Sequence, residues 1–394
     1  MDLRLSDRVQ RIQPSPTLAV TARAAELREQ GRDIIGLGAG EPDFTTPEPV
    51  RRAATEAVEA GYTKYTPVDG LPALKRAIID KFRADNTLNY APEEVMVSCG
   101  GKQVVFNLAL ALLQEGDEAV IPGPYWVSYP DIVKLAGAEP VTIATDDTAG
   151  FKITAHQLEN ALSERSRLLI LNSPSNPTGA VYTEAELRAL AEVIRKHPKL
   201  VVLTDDIYEK ILLGPLPFAN ILNVAPDLKE RTVILNGVSK AFAMTGWRIG
   251  YAAGPRELIG AMKKLQSQST SNPAAVSQYA ALTALQHGDE LIRPMVEAFR
   301  ERHNYVADAL NALPYVACRR AEGAFYVFPA FHEAIKALDL EDDMALATHL
   351  LDTAGVALVP GSAFGAPGYM RLSFATDLDS LRQAMDRLHR ALAT

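Results

Sequence analysis

Between residues 94 and 253 the chain carries six short apolar runs in which hydrophobic residues follow one another without polar alternation. They are Glu94–Ser98, Ala119–Pro122, Arg167–Asn172, Leu200–Thr204, Thr232–Leu235 and Ile249–Ala253. Successive side chains of a strand point to opposite faces, so a strand that is apolar at every position must be buried on both. That is the signature of a largely parallel sheet covered by helices on both sides. Helical patterns fall between the runs: Pro47–Ala60 with Thr46 as its candidate cap, Lys102–Gln114, Trp126–Ala136, and a helix to about Lys196 opened by the capping box Thr183–Glu186. Repeated strand–helix units predict an α/β core. The ends read differently. Thr17–Gln30 is an amino-terminal helix stopped by Gly31. The last third carries long helices from Pro273, strands near Tyr315–Arg319, Ala324–Phe328, Val356–Val359 and Met370–Phe374, and a final helix Leu378–Leu392. The pattern predicts a large domain over residues 46–285 and a smaller α+β domain built from residues 1–45 and 286–394.

Composition excludes several classes. The chain has 394 residues, 47% hydrophobic and 22% charged, with a formal net charge of -8. It has no basic block of the kind that binds nucleic acid. Cys99 and Cys318 are the only cysteines and make neither a zinc spacing nor a disulfide framework, which fits a reducing cytoplasm. The first eight residues lack an apolar signal core. The run Val104–Leu113 is too short to span a bilayer. No histidine pair has metal-ligand spacing, so no metal is expected and no membrane partner either.

The chemistry concentrates in short motifs. Asn236–Gly250 places Lys240 just after an apolar run, among small residues, with Arg248 eight positions on. A lysine so held can lose its proton and attack a carbonyl, and a nearby arginine can hold a phosphate. Together they suit pyridoxal 5'-phosphate; alone, the lysine reads as a solvated surface residue. Gly100-Gly101-Lys102 lies between strand and helix, where free N–H groups suit an anion or merely make a tight turn. Asn172–Gly179 is a rigid Pro/Gly loop that offers Asn176. Asp205, Asp206 and Tyr208 follow another strand, where a carboxylate can pair with a pyridine nitrogen or only form a turn. Trp126 can stack on a ring or pack in the core. Arg371 lies within an apolar strand and fits a carboxylate bidentately, or a structural ion pair.

In order and spacing these motifs resemble those of class I aminotransferases, fold type I pyridoxal phosphate enzymes, over nearly the whole chain. The resemblance implies a mostly parallel seven-stranded sheet flanked by helices, and a homodimer with shared active sites. It implies Lys240 as the residue that holds the cofactor covalently and moves the proton, with Asp205 on the ring nitrogen and Asn176 and Tyr208 on the ring oxygen. It implies Trp126 on the ring face and Gly101, Lys102, Ser239, Arg248 and the partner subunit's Tyr65 around the phosphate. Arg371 and Gly40 would bind the substrate α-carboxylate. The motif's phosphate serine is Gly237 in this chain, and its usual Asp-Glu pair is Asp205-Asp206.

The family's distal arginine would fall at Ser267 and is absent. The chain is similar instead to a bacterial subgroup in which Lys102 would recognise a distal carboxylate, with hydroxyls at Ser15 and Thr17. This implies ping-pong transfer of the amino group of aspartate to 2-oxoglutarate. Prephenate, alanine or aromatic donors remain open, as do, more remotely, a carbon–sulfur lyase and a non-enzymatic regulator.

Overall fold

The computed structural model describes residues 3–14 and 16–393, the side chains of 16–18 and 21 excepted. Its strands are β1 (Ile35–Gly36), β2 (Val95–Ser98), β3 (Glu118–Pro122), β4 (Glu139–Ile143), β5 (Ser166–Asn172) and β6 (Val201–Asp205). They continue with β7 (Thr232–Gly237), β8 (Gly250–Ala253), β9 (Tyr326–Val327), β10 (Val356–Ala357), β11 (Val359–Pro360) and β12 (Met370–Ser373). Seven of them form the central sheet in the order β2-β8-β7-β6-β5-β3-β4. All neighbours in it are parallel except β8, which is antiparallel to both β2 and β7.

The absence of alternation in the strands has a visible cause. Val95, Val97, Leu169, Leu171, Val202 and Ile234 pack into one core, while Met96, Leu168, Ile170, Leu203, Val233 and Leu235 pack into another. Helices Glu48–Glu59, Pro72–Asn86, Glu184–Arg195 and Ala275–His287 cover the first face. Helices Gly101–Leu112, Ser128–Leu135 and Arg256–Ser267 cover the second. A third core joins the three-stranded sheet β11-β12-β9 to the long helices Asp289–Asn311, Asp343–Ala354 and Leu378–Leu392. The short pair β1–β10 ties the amino-terminal segment to that carboxy-terminal body.

Several sequence expectations need correction. Thr46 does not cap the following helix. Its hydroxyl donates to the Ala243 carbonyl at 2.6 Å and accepts from the Trp247 indole at 2.9 Å, and the helix starts after Pro47 with no side-chain cap. The Tyr315–Arg319 strand is reduced to one bridge, Ala317 to Ala330. Val356–Val359 splits into β10 and β11, which belong to different sheets. The helix expected from Trp126 starts at Ser128 and leaves the indole in the preceding loop. β4 carries Glu, Pro and Thr at a half-exposed sheet edge, so it lacks the apolar signal of the inner strands. The Thr183–Glu186 box forms as read: Thr183 N–H donates to the Glu186 carboxylate at 2.7 Å, and Glu186 N–H donates to the Thr183 hydroxyl at 3.3 Å.

Candidate active site

Sheet topology gathers chemistry at one edge. β5 and β6 end at Asn172 and Asp205, and β7 ends at Gly237, three residues before Lys240. Because β8 runs the other way, its first residue, Gly250, pairs with both Gly237 and Ser98. Arg248 and the Gly100-Gly101 turn are thereby brought to the same edge. Crevices outside the carboxyl ends of α/β strands are where ligands bind. Two glycines make the approach possible. A Cβ on Gly250 would lie 2.4 Å from the Gly101 nitrogen, and one on Gly100, at φ +83°, would lie 2.4 Å from the Arg248 guanidinium.

The resulting cavity of about 410 Å³ is walled by residues of both the central sheet and the carboxy-terminal body. Lys240 donates from Nζ to the Gly40 carbonyl at 2.5 Å. Burial, reinforced by the positive charge of Arg371, lowers its pKa to about 8. Asp205 accepts a hydrogen bond from the Tyr129 hydroxyl at 2.6 Å and one from the Ile207 amide at 3.3 Å. Burial pushes its carboxyl up to about 6 against the opposing effect of those bonds. Asp206 lies outside the cavity, bonded to Thr204 at 2.6 Å and Asn220 at 3.0 Å, and burial beside Glu209 raises it to about 8.

Four basic residues line the cavity: Lys102, Lys240, Arg248 and Arg371. Among the described residues none of them has a carboxylate within ion-pair distance. Arg371 is 3% exposed. It donates to Asn176 Oδ1 at 2.9 Å and the Gly38 carbonyl at 2.7 Å, between the rings of Tyr326 (4.6 Å) and Phe364 (4.9 Å). Among the described residues its Nε has no partner. Because the guanidinium takes the Asn176 oxygen, that amide's NH2 group remains as a donor. Arg248 donates to the Thr245 carbonyl at 2.8 Å. Lys102 sits 5.0 Å over the Trp126 ring, its pKa lowered by burial and then by Arg248. Ser239, the second residue after Gly237, also lines the cavity.

The structure thus brings together Gly40, Gly101, Lys102, Trp126, Asn176, Asp205, Tyr208, Ser239, Lys240, Arg248 and Arg371. Tyr65 stands apart, 92% exposed on the surface of the chain. Ser15 and the side chain of Thr17 lie outside the described residues. Sequence reasoning missed Tyr129, Tyr326 and Glu41, which also line the cavity. Tyr129 stands three residues after Trp126 and packs edge-on against it at 5.3 Å; that spacing at a helix start was the available signal. A larger cleft of about 630 Å³, beside helix Pro72–Asn86, holds none of the sequence-predicted site residues, and most of its charged groups are paired with one another. Among the described residues no cluster of three or more potential ligands could hold a metal ion, and no helix is long and apolar enough to cross a membrane.

Comparison with known proteins agrees with this architecture. The family model for aminotransferase class I and II matches residues 32–388. The aspartate/prephenate aminotransferase of Nitrosomonas europaea is 54% identical over 98% of this chain and 99% of its own. The aspartate aminotransferase of Geobacillus stearothermophilus is 50% identical over 98% of both chains. The crystal structure of the aspartate aminotransferase from Rhizobium meliloti superposes with a TM-score of 0.95 at 45% identity, covering 99% of each chain. That of the Thermus thermophilus aspartate aminotransferase with maleate gives 0.92 at 44%, covering 99% of this chain and 100% of the other. The chain belongs to the class I and II aminotransferases, and it is an enzyme of the transaminase type.

Proposed function

We propose that this aminotransferase uses pyridoxal 5'-phosphate to transfer the amino group of aspartate to 2-oxoglutarate. The observation that carries the reading is the set of four cavity-lining cations that have no carboxylate partner among the described residues. Arg371 is buried and Lys240 half-buried, and such charges need counter-charges; Lys102 and Arg248 are exposed beside them, and a phosphorylated cofactor plus a dicarboxylate substrate supply anions for all four. The donor set fits the cofactor. The Gly100-Gly101 turn opens the helix Gly101–Leu112, whose free N–H groups, with Ser239 and Arg248, suit a phosphate. Gly237 lies in β7 against Gly250, where an added Cβ would meet neighbours at 3.1 Å, and Ser239, two residues on, would supply the hydroxyl that the family carries at that position. Asp205 is a buried carboxylate matched to a protonated ring nitrogen, and Trp126 offers an aromatic face.

When bound, pyridoxal 5'-phosphate supplies an electron sink for the carbanion at the substrate Cα. The protein does the rest. Arg371, held in plane between two aromatic rings, binds the α-carboxylate with the Gly38–Gly40 loop. Lys102 meets the distal carboxylate. Lys240, whose lowered pKa makes the neutral amine accessible near pH 8, removes the Cα proton with Nζ and later returns one. Asp205 would hold the proton of the ring nitrogen, and Asn176 and Tyr208 would donate to the ring oxygen. Prephenate is a second donor supported by the name of the Nitrosomonas relative; its two carboxylates would use the same Lys102 and Arg371. We further propose a homodimer in which the exposed Tyr65 completes the partner's phosphate site. A panel of amino donors with the purified protein and 2-oxoglutarate tests the assignment. Turnover highest with aspartate is expected; turnover confined to donors without a second carboxylate would overturn it.

A further inference from the structure

Two phenols from different parts of the fold meet at the inner wall of the cavity. Tyr208 follows β6 of the central sheet, and Tyr326 opens β9 of the three-stranded sheet. Their hydroxyl oxygens are 2.9 Å apart, with the rings edge to face at 5.8 Å. Both side chains are fully buried, and among the described residues neither hydroxyl has another hydrogen-bond partner. Tyr326 is fixed on its own side: it pairs with Ser373 of β12, and its ring lies against the Arg371 guanidinium at 4.6 Å. Between two hydroxyls one donates and the other accepts. The pair therefore has a direction, and that direction decides where the Tyr208 proton points.

We propose that Tyr326 is a positioning residue that donates to the Tyr208 oxygen and so turns the Tyr208 proton into the cavity, toward the ring oxygen of the cofactor. This rests on the pyridoxal phosphate reading above. The chemistry sets the direction. A guanidinium over a phenol ring withdraws electron density and makes its hydroxyl the better donor, and Arg371 covers Tyr326. Burial lifts both hydroxyls and Arg371 opposes the lift; because the guanidinium lies against the Tyr326 ring, Tyr326 is the natural donor and Tyr208 the natural acceptor. A hydroxyl that accepts one hydrogen bond donates a stronger second one. Tyr326 thus acts on the cofactor through Tyr208.

The test is an absorption titration of the bound cofactor against pH, without substrate, in wild type, Tyr326→Phe, Tyr208→Phe and the double variant. A donor to the ring oxygen stabilises its negative form and favours loss of the proton on the nitrogen joining Lys240 to the cofactor. Weakening that donor raises the midpoint. The charged groups facing the phenol pair, Arg371, Asp205, Lys240 and Glu41, remain in every variant. Tyr326→Phe is expected to raise the midpoint by about half to one pH unit, the size of one ordinary hydrogen bond. Tyr208→Phe is expected to raise it further, and adding Tyr326→Phe to it should change nothing more. An unmoved or lowered midpoint in Tyr326→Phe, or additive shifts in the double variant, overturns the proposal. A wild-type protein that takes up no chromophore refutes the cofactor reading itself and takes this inference with it.

Discussion

Replacing each of the two adjacent aspartates by asparagine separates the chemistry of the site from its scaffolding. Asp205 and Asp206 are both buried, but they face opposite ways. Asp205 lines the cavity, with one oxygen on the Tyr129 hydroxyl and the other on the Ile207 amide at 3.3 Å. Against the cationic ring nitrogen of the proposed cofactor it would form a buried ion pair, and removing one member of such a pair costs about 3–5 kcal/mol. If the loss falls on the rate-limiting proton transfer, kcat drops by roughly two to nearly four powers of ten, at 1.36 kcal/mol per decade. Asp206 is raised to about 8 and is largely uncharged at neutral pH. An amide in its place still accepts from Asn220 and can donate to the Thr204 hydroxyl, so Asp206→Asn should change kcat less than about threefold. The assay is steady-state transamination of aspartate at pH 7.5, with cofactor content measured by absorbance. A loss in Asp206→Asn equal to or greater than that in Asp205→Asn would refute the assignment of Asp205 to the ring nitrogen.

Three further outcomes are expected. Lys240→Ala should still bind the cofactor but abolish turnover and the covalent label left by borohydride reduction; normal turnover would sink the mechanism. Lys102→Ala should lower kcat/KM for aspartate by about one to two decades, the worth of a charge-assisted hydrogen bond of roughly 1.5–3 kcal/mol, and leave alanine and phenylalanine nearly unaffected; an equal loss for all donors would mean that Lys102 serves the phosphate instead. In cofactor-free protein the folded state holds the Asp205 proton up to about pH 6, while the unfolded chain releases it near 3.8. Stability should therefore fall as pH rises through that window, by on the order of 3 kcal/mol. Thermal denaturation of Asp205→Asn should lack this slope, and an identical slope in the variant would contradict the raised pKa.

The inner strands were legible because they are buried on both faces, which leaves an unbroken apolar run whatever the neighbours are. β4 was not, because an edge strand needs only one apolar face. Thr46 misled for a different reason. Its sequence context is that of a cap, but a carbonyl at Ala243 and an indole at Trp247, about two hundred residues away, claim the hydroxyl. The cavity-lining motif residues Asp205, Lys240 and Arg371 were legible through their motifs, each carrying an ionisable group at an apolar strand or its end. Tyr129 and Tyr326 were not, because a buried tyrosine looks like core until the atom its hydroxyl meets is known. Tyr65 marks the other limit: it is 92% exposed and outside the cavity of this chain, and only in the proposed homodimer would it reach a phosphate site.

The third hydrophobic core bears on how the enzyme would fail. Asp205 and Lys240 hang from the central sheet, whereas Arg371 and Tyr326 hang from strands seated on the carboxy-terminal body. Heat or mild denaturant that loosens that body first would release Arg371, the proposed α-carboxylate binder, while a cofactor held by Lys240 and Asp205 would stay in place. Such a preparation would keep its yellow colour after its activity had gone, and colour would then be a poor measure of shelf life.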